Sequence, residues 1–307
     1  PSTMIYIWHK HPATPNEAKG NIGYLVQNYL FSMISSMMHA RLEELRQGAN
    51  PPFIQAASGD SDFLLSKTAE AFVGMAVSKA DGIPTAISAL VREIERARKF
   101  GFTASEYARA KADYLRSLES AYNERDKMKN NEYVQEYVRH FIDNEPIPGI
   151  EMEYTLMNQL APSIPVEAIN SILPQLIKDE NIVINIFGPD KEGMVYPTEA
   201  EILDILKNTK AEEITAYVDK VSDEPLMKET PKAGKIVKTE EGPFGSTALT
   251  LSNGVRVVIK NTDFKADEIR MSAFSPGGTS VFGTKEALQL KMLNSVAGLG
   301  GLGNFSN

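Results

Sequence analysis

The chain has four histidines in 307 residues and no cysteine, so any chemistry must come from imidazole, carboxylate, hydroxyl or guanidinium groups. His9 and His11 stand two apart in a stretch that alternates like a strand, which would put both rings on one face, an arrangement that suits zinc. No third ligand stands beside them in sequence, and paired histidines are ordinary at strand edges. His39 beside Met37 and Met38, and His140 between Tyr137 and Phe141, read as packed or surface residues. Gly298-Leu299-Gly300-Gly301-Leu302-Gly303 matches G-x-G-x-x-G, but it follows a helical segment instead of joining a strand to a helix, so no helix N-terminus meets a phosphate there. The run 92–99 mixes signs at helical spacing and reads as a solvated face. Arg125 to Lys129 reads the same way, or as a basic lip. No Ser/His/Asp order and no carboxylate pair in clear helical register appears, which leaves no self-sufficient catalytic set.

The elements that would carry these groups follow from periodicity. Residues 4 to 9 read as a strand, and Ala18 to Arg46 as a long buried helix ended by Gly48-Ala49-Asn50-Pro51-Pro52. Strands are expected at Phe53–Ser58 and Ala69–Val77, parted by the polar turn Gly59-Asp60-Ser61-Asp62. Helices are expected at Ile83–Phe100, from Thr103-Ala104-Ser105-Glu106 past Arg125, at Asn131–Asp143, at Pro165–Leu176 and at Thr198–Tyr217, with a buried strand at 181–187. The order β, long α, ββ, several α, β predicts an α+β fold, helices packed on one face of a mainly antiparallel sheet. Residues 222–246, rich in Lys, Glu, Pro and Gly, read as a linker, and the block after it as the start of a second unit too short to close its own core.

A net charge of -8 opposes a broad hold on nucleic acid. No long apolar run suggests a membrane span. Without cysteine the redox compartment stays open.

The block Leu251-Ser252-Asn253-Gly254-Val255-Arg256-Val257-Val258-Ile259-Lys260, followed by Glu268–Phe274 and by Ser275-Pro276-Gly277-Gly278-Thr279-Ser280, resembles the opening of a domain in the pitrilysin (insulinase-type) zinc peptidases. In the active domain of that family the next helix carries H-x-x-E-H, two imidazoles and a glutamate base around zinc. Here Lys285 to Val296 contains no histidine. Ala40-Arg41-Leu42-Glu43-Glu44-Leu45-Arg46 and Gly101-Phe102-Thr103-Ala104-Ser105-Glu106-Tyr107 are similar to two helix boundaries of the family's second domain.

The resemblance implies a pitrilysin/LuxS-type metallohydrolase-like fold within a clam-like enzyme whose paired α+β domains enclose a peptide-cutting chamber. It implies residues 1–195 as a non-catalytic domain, 196–247 as helix and interdomain linker, and 248–307 as the N-terminal part of a following repeat. Both ends read as cut, the metal domain lying upstream. Arg41 and Arg46 fall where the family places a substrate-binding "RLREKxGxxY", although Pro51, Pro52 and Phe53 replace its tyrosine. They are the candidate substrate contacts, facing the chamber or a neighbouring domain. Zinc is expected in the full-length enzyme and none in this chain. The implied partners are peptide substrates and the missing domains, with a homodimer left open and neither nucleic acid nor a membrane span. The compartment stays undetermined, the bacterial periplasm or cell envelope being open to it. An inactive scaffold or processing-complex subunit of the same fold is the rival reading.

Overall fold

Strand β1, Thr3–Pro12, is the centre of the first unit. In the computed structural model it pairs antiparallel with β3 (Ala69–Ser78) on one side and β4 (Ile182–Phe187) on the other, and β3 pairs with β2 (Gln55–Asp62), giving the order β2-β3-β1-β4. The structure describes residues 2–79, 81–220, 224–227, 229–265, 268–283, 286–302 and 305.

Helices cover one face of this sheet. After the single turn α1 (Asn16–Lys19), the 26-residue α2 (Ile22–Gln47) starts where the Asn21 side chain accepts from Tyr24 N–H. Its stripe of Tyr29, Met33, Ile34, Met37, Met38 and Leu42 is buried. α3 (Ile83–Phe100) lies so close to β3 that a Cβ on Gly74 would stand 2.7 Å from Ile94 Cδ1. α4 (Ala104–Asn123) opens with a reciprocal capping box between Thr103 and Glu106. α5 (Asn130–Asp143), α6 (Ile150–Leu160), α7 (Val166–Asn170) and α8 (Leu173–Leu176) follow, and α9 (Glu199–Ala211) lies against α3. Two apolar clusters fill the layer between, one around Met33, Phe72, Phe102 and Met157, the other around Ile5, Ile7, Leu42 and Leu90. The expected α+β architecture is the observed one.

Three differences matter. The run Gly59-Asp60-Ser61-Asp62, expected as a turn, is the second half of β2 and pairs with β3 as far as Asp62 opposite Glu70. Polar side chains survive there because β2 is an edge strand with one ladder only. Residues 212–217, expected as helix, run on after α9 without helical structure, and residues 212–219 are held to α2, α3 and α4, so the first unit extends to Asp219. The second unit, Lys220–Asn307, begins its sheet with β5 (Ile236–Glu241), inside the expected linker. There β5 pairs with β6 (Thr247–Leu251) and β6 with β7 (Arg256–Ile259), and the short helices α10 (Ala287–Lys291) and α11 (Leu293–Leu299) follow. Residues 268–274, the second run of the block that carries the resemblance, form no strand among the described residues. Lys285, which began the expected ligand-free helix, and Gly303 of the glycine motif lie outside the described residues.

Candidate functional site

Arg41 and Arg46 leave α2 in opposite directions. The Arg41 guanidinium is 1% exposed and donates to Glu106 through Nε (2.6 Å to Oε1) and Nη2 (2.9 Å to Oε2). It also reaches Glu93 Oε1 at 3.4 Å and the Gly101 carbonyl at 3.0 Å. Phe102 and Tyr217 sandwich it, their ring centres 4.7 and 4.4 Å from Cζ. Burial pushes the Glu93 carboxyl up, against the pull of Arg96 and Arg41. The expectation that Arg41 touches substrate therefore gives way to a different role. It ties α2 to α3, α4 and the segment after α9, and a peptide could not reach it without lifting Tyr217. Arg46 is exposed and paired with Glu43 one turn back, whose carboxyl its hydrogen bonds hold down at about 2. It lines a cavity of about 340 Å³ with Pro51, Pro52 and Phe53, the residues standing in the place of the family's tyrosine.

The strand histidines do share one face, as their spacing predicts, but in different surroundings. His9 is buried, with Nδ1 2.9 Å from the Lys178 carbonyl. Desolvation keeps its pKa below the ordinary 6.5, opposed by that hydrogen bond. His11, one pleat further, meets Asp60, its Nε2 2.8 Å from Oδ1, while Nδ1 lies 3.1 Å from the Pro12 carbonyl. Burial opposes its charge, yet Asp60, the Pro12 carbonyl and Glu70 outweigh that and raise its pKa above 6.5. Glu70, directly across from His11 on β3, is held by Thr14, whose N–H and Oγ1 donate to its two oxygens at 3.1 and 3.4 Å. The companions that the sequence did not offer His11 are thus Asp60 on β2 and Glu70 on β3, and His9 stands outside that group. His39 and His140 are exposed, His140 with Nδ1 2.6 Å from the Glu145 carbonyl.

The sheet face opposite the buried Ile5 and Ile7 is also distinctive. Tyr6 and Trp8 stack at 5.5 Å, Phe63 meets Trp8 edge-on at 5.5 Å, and Phe187 meets Tyr6 at 5.8 Å. Met4 is 43% and Phe187 56% exposed. The Trp8 indole N–H is buried with no hydrogen-bond partner among the described residues. Where one face of an antiparallel sheet is left to water, polar residues are the norm, and an aromatic row marks a surface meant to be covered.

The zinc protease PQQL-like of Arabidopsis thaliana is 31% identical over 207 residues, 67% of this chain and 22% of that protein. The probable zinc protease PqqL of Escherichia coli strain K12 is 22% identical over 281 residues, 90% of this chain and 30% of that protein. The chain belongs to the insulinase-type (pitrilysin) zinc peptidase family. A crystal structure of the periplasmic protease PqqL from Escherichia coli matches all of this chain, at a TM-score of 0.62 and 19% identity, over 34% of its own length. The ferredoxin protease FusC, crystallised as a mutant in complex with Arabidopsis ferredoxin, matches 84% of this chain over 28% of its own, at a TM-score of 0.53 and 18% identity. At such identities the structures carry the fold alone. No protein-family model matches the chain. It spans about a third or less of the length of these relatives.

Within that family the two histidines of an H-x-x-E-H helix hold the zinc and the glutamate between them serves as base. The residues present do not fit that set. None of the four histidines stands in H-x-x-E-H spacing, and the segment 286–302 after the hairpin has none. Among the described residues no helix is long and apolar enough to cross a membrane.

Proposed function

We propose that this chain is a non-catalytic section of a zinc-dependent endopeptidase, supplying wall and substrate contacts to a chamber in which peptides are degraded or processed. The observation that carries this reading is the two-sidedness of the first unit. One sheet face is sealed by helices and held by the Arg41 network, while the other carries the row Phe63, Trp8, Tyr6 and Phe187, with Trp8 buried, Phe63 and Tyr6 half-buried, Phe187 exposed and Lys10 Nζ 5.1 Å from the Phe63 ring. An extended peptide with apolar side chains meets such a face through dispersion and burial, with no fixed sequence required. Arg46, exposed beside its proline-lined cavity, is the remaining candidate for holding a substrate carboxylate or carbonyl. The relative crystallised with ferredoxin and the periplasmic relative favour a protein substrate and an envelope compartment for the whole protein.

The test uses the complete gene product. Its sequence upstream of residue 1 is expected to contain H-x-x-E-H, and the purified protein to cleave unfolded polypeptides in a chelator-sensitive way, while the 307-residue chain alone cleaves none. Replacing Tyr6 and Phe187 together with serine is expected to lower kcat/KM about tenfold with kcat little changed, the pattern of lost ground-state binding. Cleavage by the isolated chain would overturn the non-catalytic role. An upstream sequence without the motif would favour an inactive scaffold subunit instead.

A further inference from the structure

Strands β1, β2 and β3 each bring one metal-ligating side chain to a common point. His11, Asp60 and Glu70 offer ligand atoms that all lie within 4.8 Å of one another, and they are the one group of three among the described residues that does so. We propose that His11 Nε2, a carboxylate oxygen of Asp60 and one of Glu70 form a binding site for a first-row divalent cation, Zn2+ or Mn2+, which clips the three strands together at their polar end.

Four features support it. The first is spacing. Ligand atoms each about 2.1 Å from one ion stand roughly 3 to 3.5 Å apart in octahedral or tetrahedral arrangement, so the present cluster needs shifts of about an ångström or less to close on a cation. The second is the orientation of the imidazole. Nδ1 points at the Pro12 carbonyl at 3.1 Å, an outer hydrogen bond that orients the ring and aims Nε2 at Asp60 and the metal position. Glu70 is likewise pre-positioned, both oxygens held by Thr14. The third is burial: the side chains of His11 and Asp60 are 11% and 5% exposed, so the Asp60 carboxylate is poorly hydrated and has much to gain from a positive ion. The fourth is the field. A cavity of about 510 Å³ beside the cluster is lined by Asp60, Asp62, Glu70 and Glu145 and, among the described residues, by no lysine or arginine, Arg139 pairing with Glu145 from outside the lining. It gives a cation a path in, and water room to complete the coordination.

One imidazole and two carboxylates select a borderline cation over Ca2+, which takes oxygen ligands, and over Cu(I), which takes sulfur. When the ion binds, it takes the place of the proton now shared between His11 Nε2 and Asp60, and the two negative charges of Asp60 and Glu70 balance it. The ion would be structural, since all three ligands are fixed by their strands and the chain supplies no H-x-x-E-H beside them. The proposal does not depend on the protease reading and fails or stands separately from it.

The experiment is calorimetric titration of the metal-free 307-residue chain with Zn2+ and with Mn2+, with Ca2+ as comparison. Saturable uptake of one Zn2+ or Mn2+ per chain is expected, with a melting temperature that climbs with free metal. His11→Gln and Glu70→Gln should each weaken binding about tenfold or more, by the scale on which even outer partners of a metal matter. His39→Gln, on the exposed face of α2, should leave affinity unchanged. In the unmutated chain, Mn2+ should broaden the His11 ring resonances before those of His39 and His140, a readout that needs no variant to fold. Absence of saturable binding by either ion overturns the proposal. So does binding that survives both glutamine variants, or broadening that falls first on His39 or His140.

Discussion

Arg41 and Arg46 show how far single residues could be read. Five positions apart on a helix of 3.6 residues per turn, they point about 140° away from each other, so both cannot address one ligand. Arg41 also falls in register with the apolar stripe of Ile34, Met37 and Met38, which sends it inward. That signal was present in the spacing, and the family likeness masked it. What spacing could not supply was the identity of its partners, Glu93 and Glu106, brought from 52 and 65 residues away by the packing of three helices. Replacing Arg41 with alanine leaves Glu106 buried with the Thr103 cap but no cation, and Glu93 with Arg96 alone. The expected loss is about 3 to 5 kcal/mol of folding free energy, checked by urea denaturation of the 307-residue chain. Arg46→Ala, removing an exposed intrahelical pair, should leave the urea midpoint nearly unchanged in the same measurement.

At the scale of elements, long periodic helices were legible because one buried stripe repeats for many turns, and α2, α3 and α4 lie close to where periodicity puts them. Strand β2 was legible only in its first half, because the composition of Gly59-Asp60-Ser61-Asp62 is that of a turn, and only its ladder to β3 makes that half a strand. The same misreading hid Asp60 from His11, which it meets across 49 residues of sequence. The segment after α9 is a second case. It has no period of its own and is fixed by what it touches: Glu212 to Arg92, the Thr215 carbonyl to Arg96, Tyr217 to Glu44, and Asp219 to Arg109 and Ser105. Burial opposes the charge on Asp219, but Arg109 and Ser105 outweigh it and hold the carboxyl below its ordinary 3.8. A depressed carboxylate contributes stability that is complete above 3.8 and is lost as pH falls through the folded-state value. Asp219→Asn should therefore loosen this strap at neutral pH by about 1 kcal/mol, discounted for the half-exposed Arg109. Hydrogen exchange of amides 214–219 should quicken several-fold in the variant. The difference from the unmutated chain should shrink as pH drops below 3.8, and an equal difference at all pH values would count against the ion pair as the clamp.

For the molecule as a whole, the sequence showed two units and misplaced the seam, because Lys- and Glu-rich β5 has the composition of a linker. The physical contrast between the units is stronger than any boundary in composition. The first owns both apolar clusters, whose members come from residues 5 to 177. The second buries little: Phe244, Ile269, Met271 and Phe274 are each 89% exposed or more, and its six-residue β5 is exposed throughout. Burial of apolar area at about 25 cal/mol per Å² is what offsets chain entropy, so the two should behave unlike in solution. A chain cut to residues 1–219 should unfold in one cooperative transition, with a midpoint within a few degrees of the 307-residue chain. Residues 220–307 alone should show no cooperative transition and should bind a hydrophobic dye. Limited proteolysis of the intact 307-residue chain should first release a species ending between residues 219 and 235. Should the 1–219 piece instead melt well below the full chain, the second unit would have to contribute to the stability of the first, and the division at Asp219 would fail as an energetic boundary.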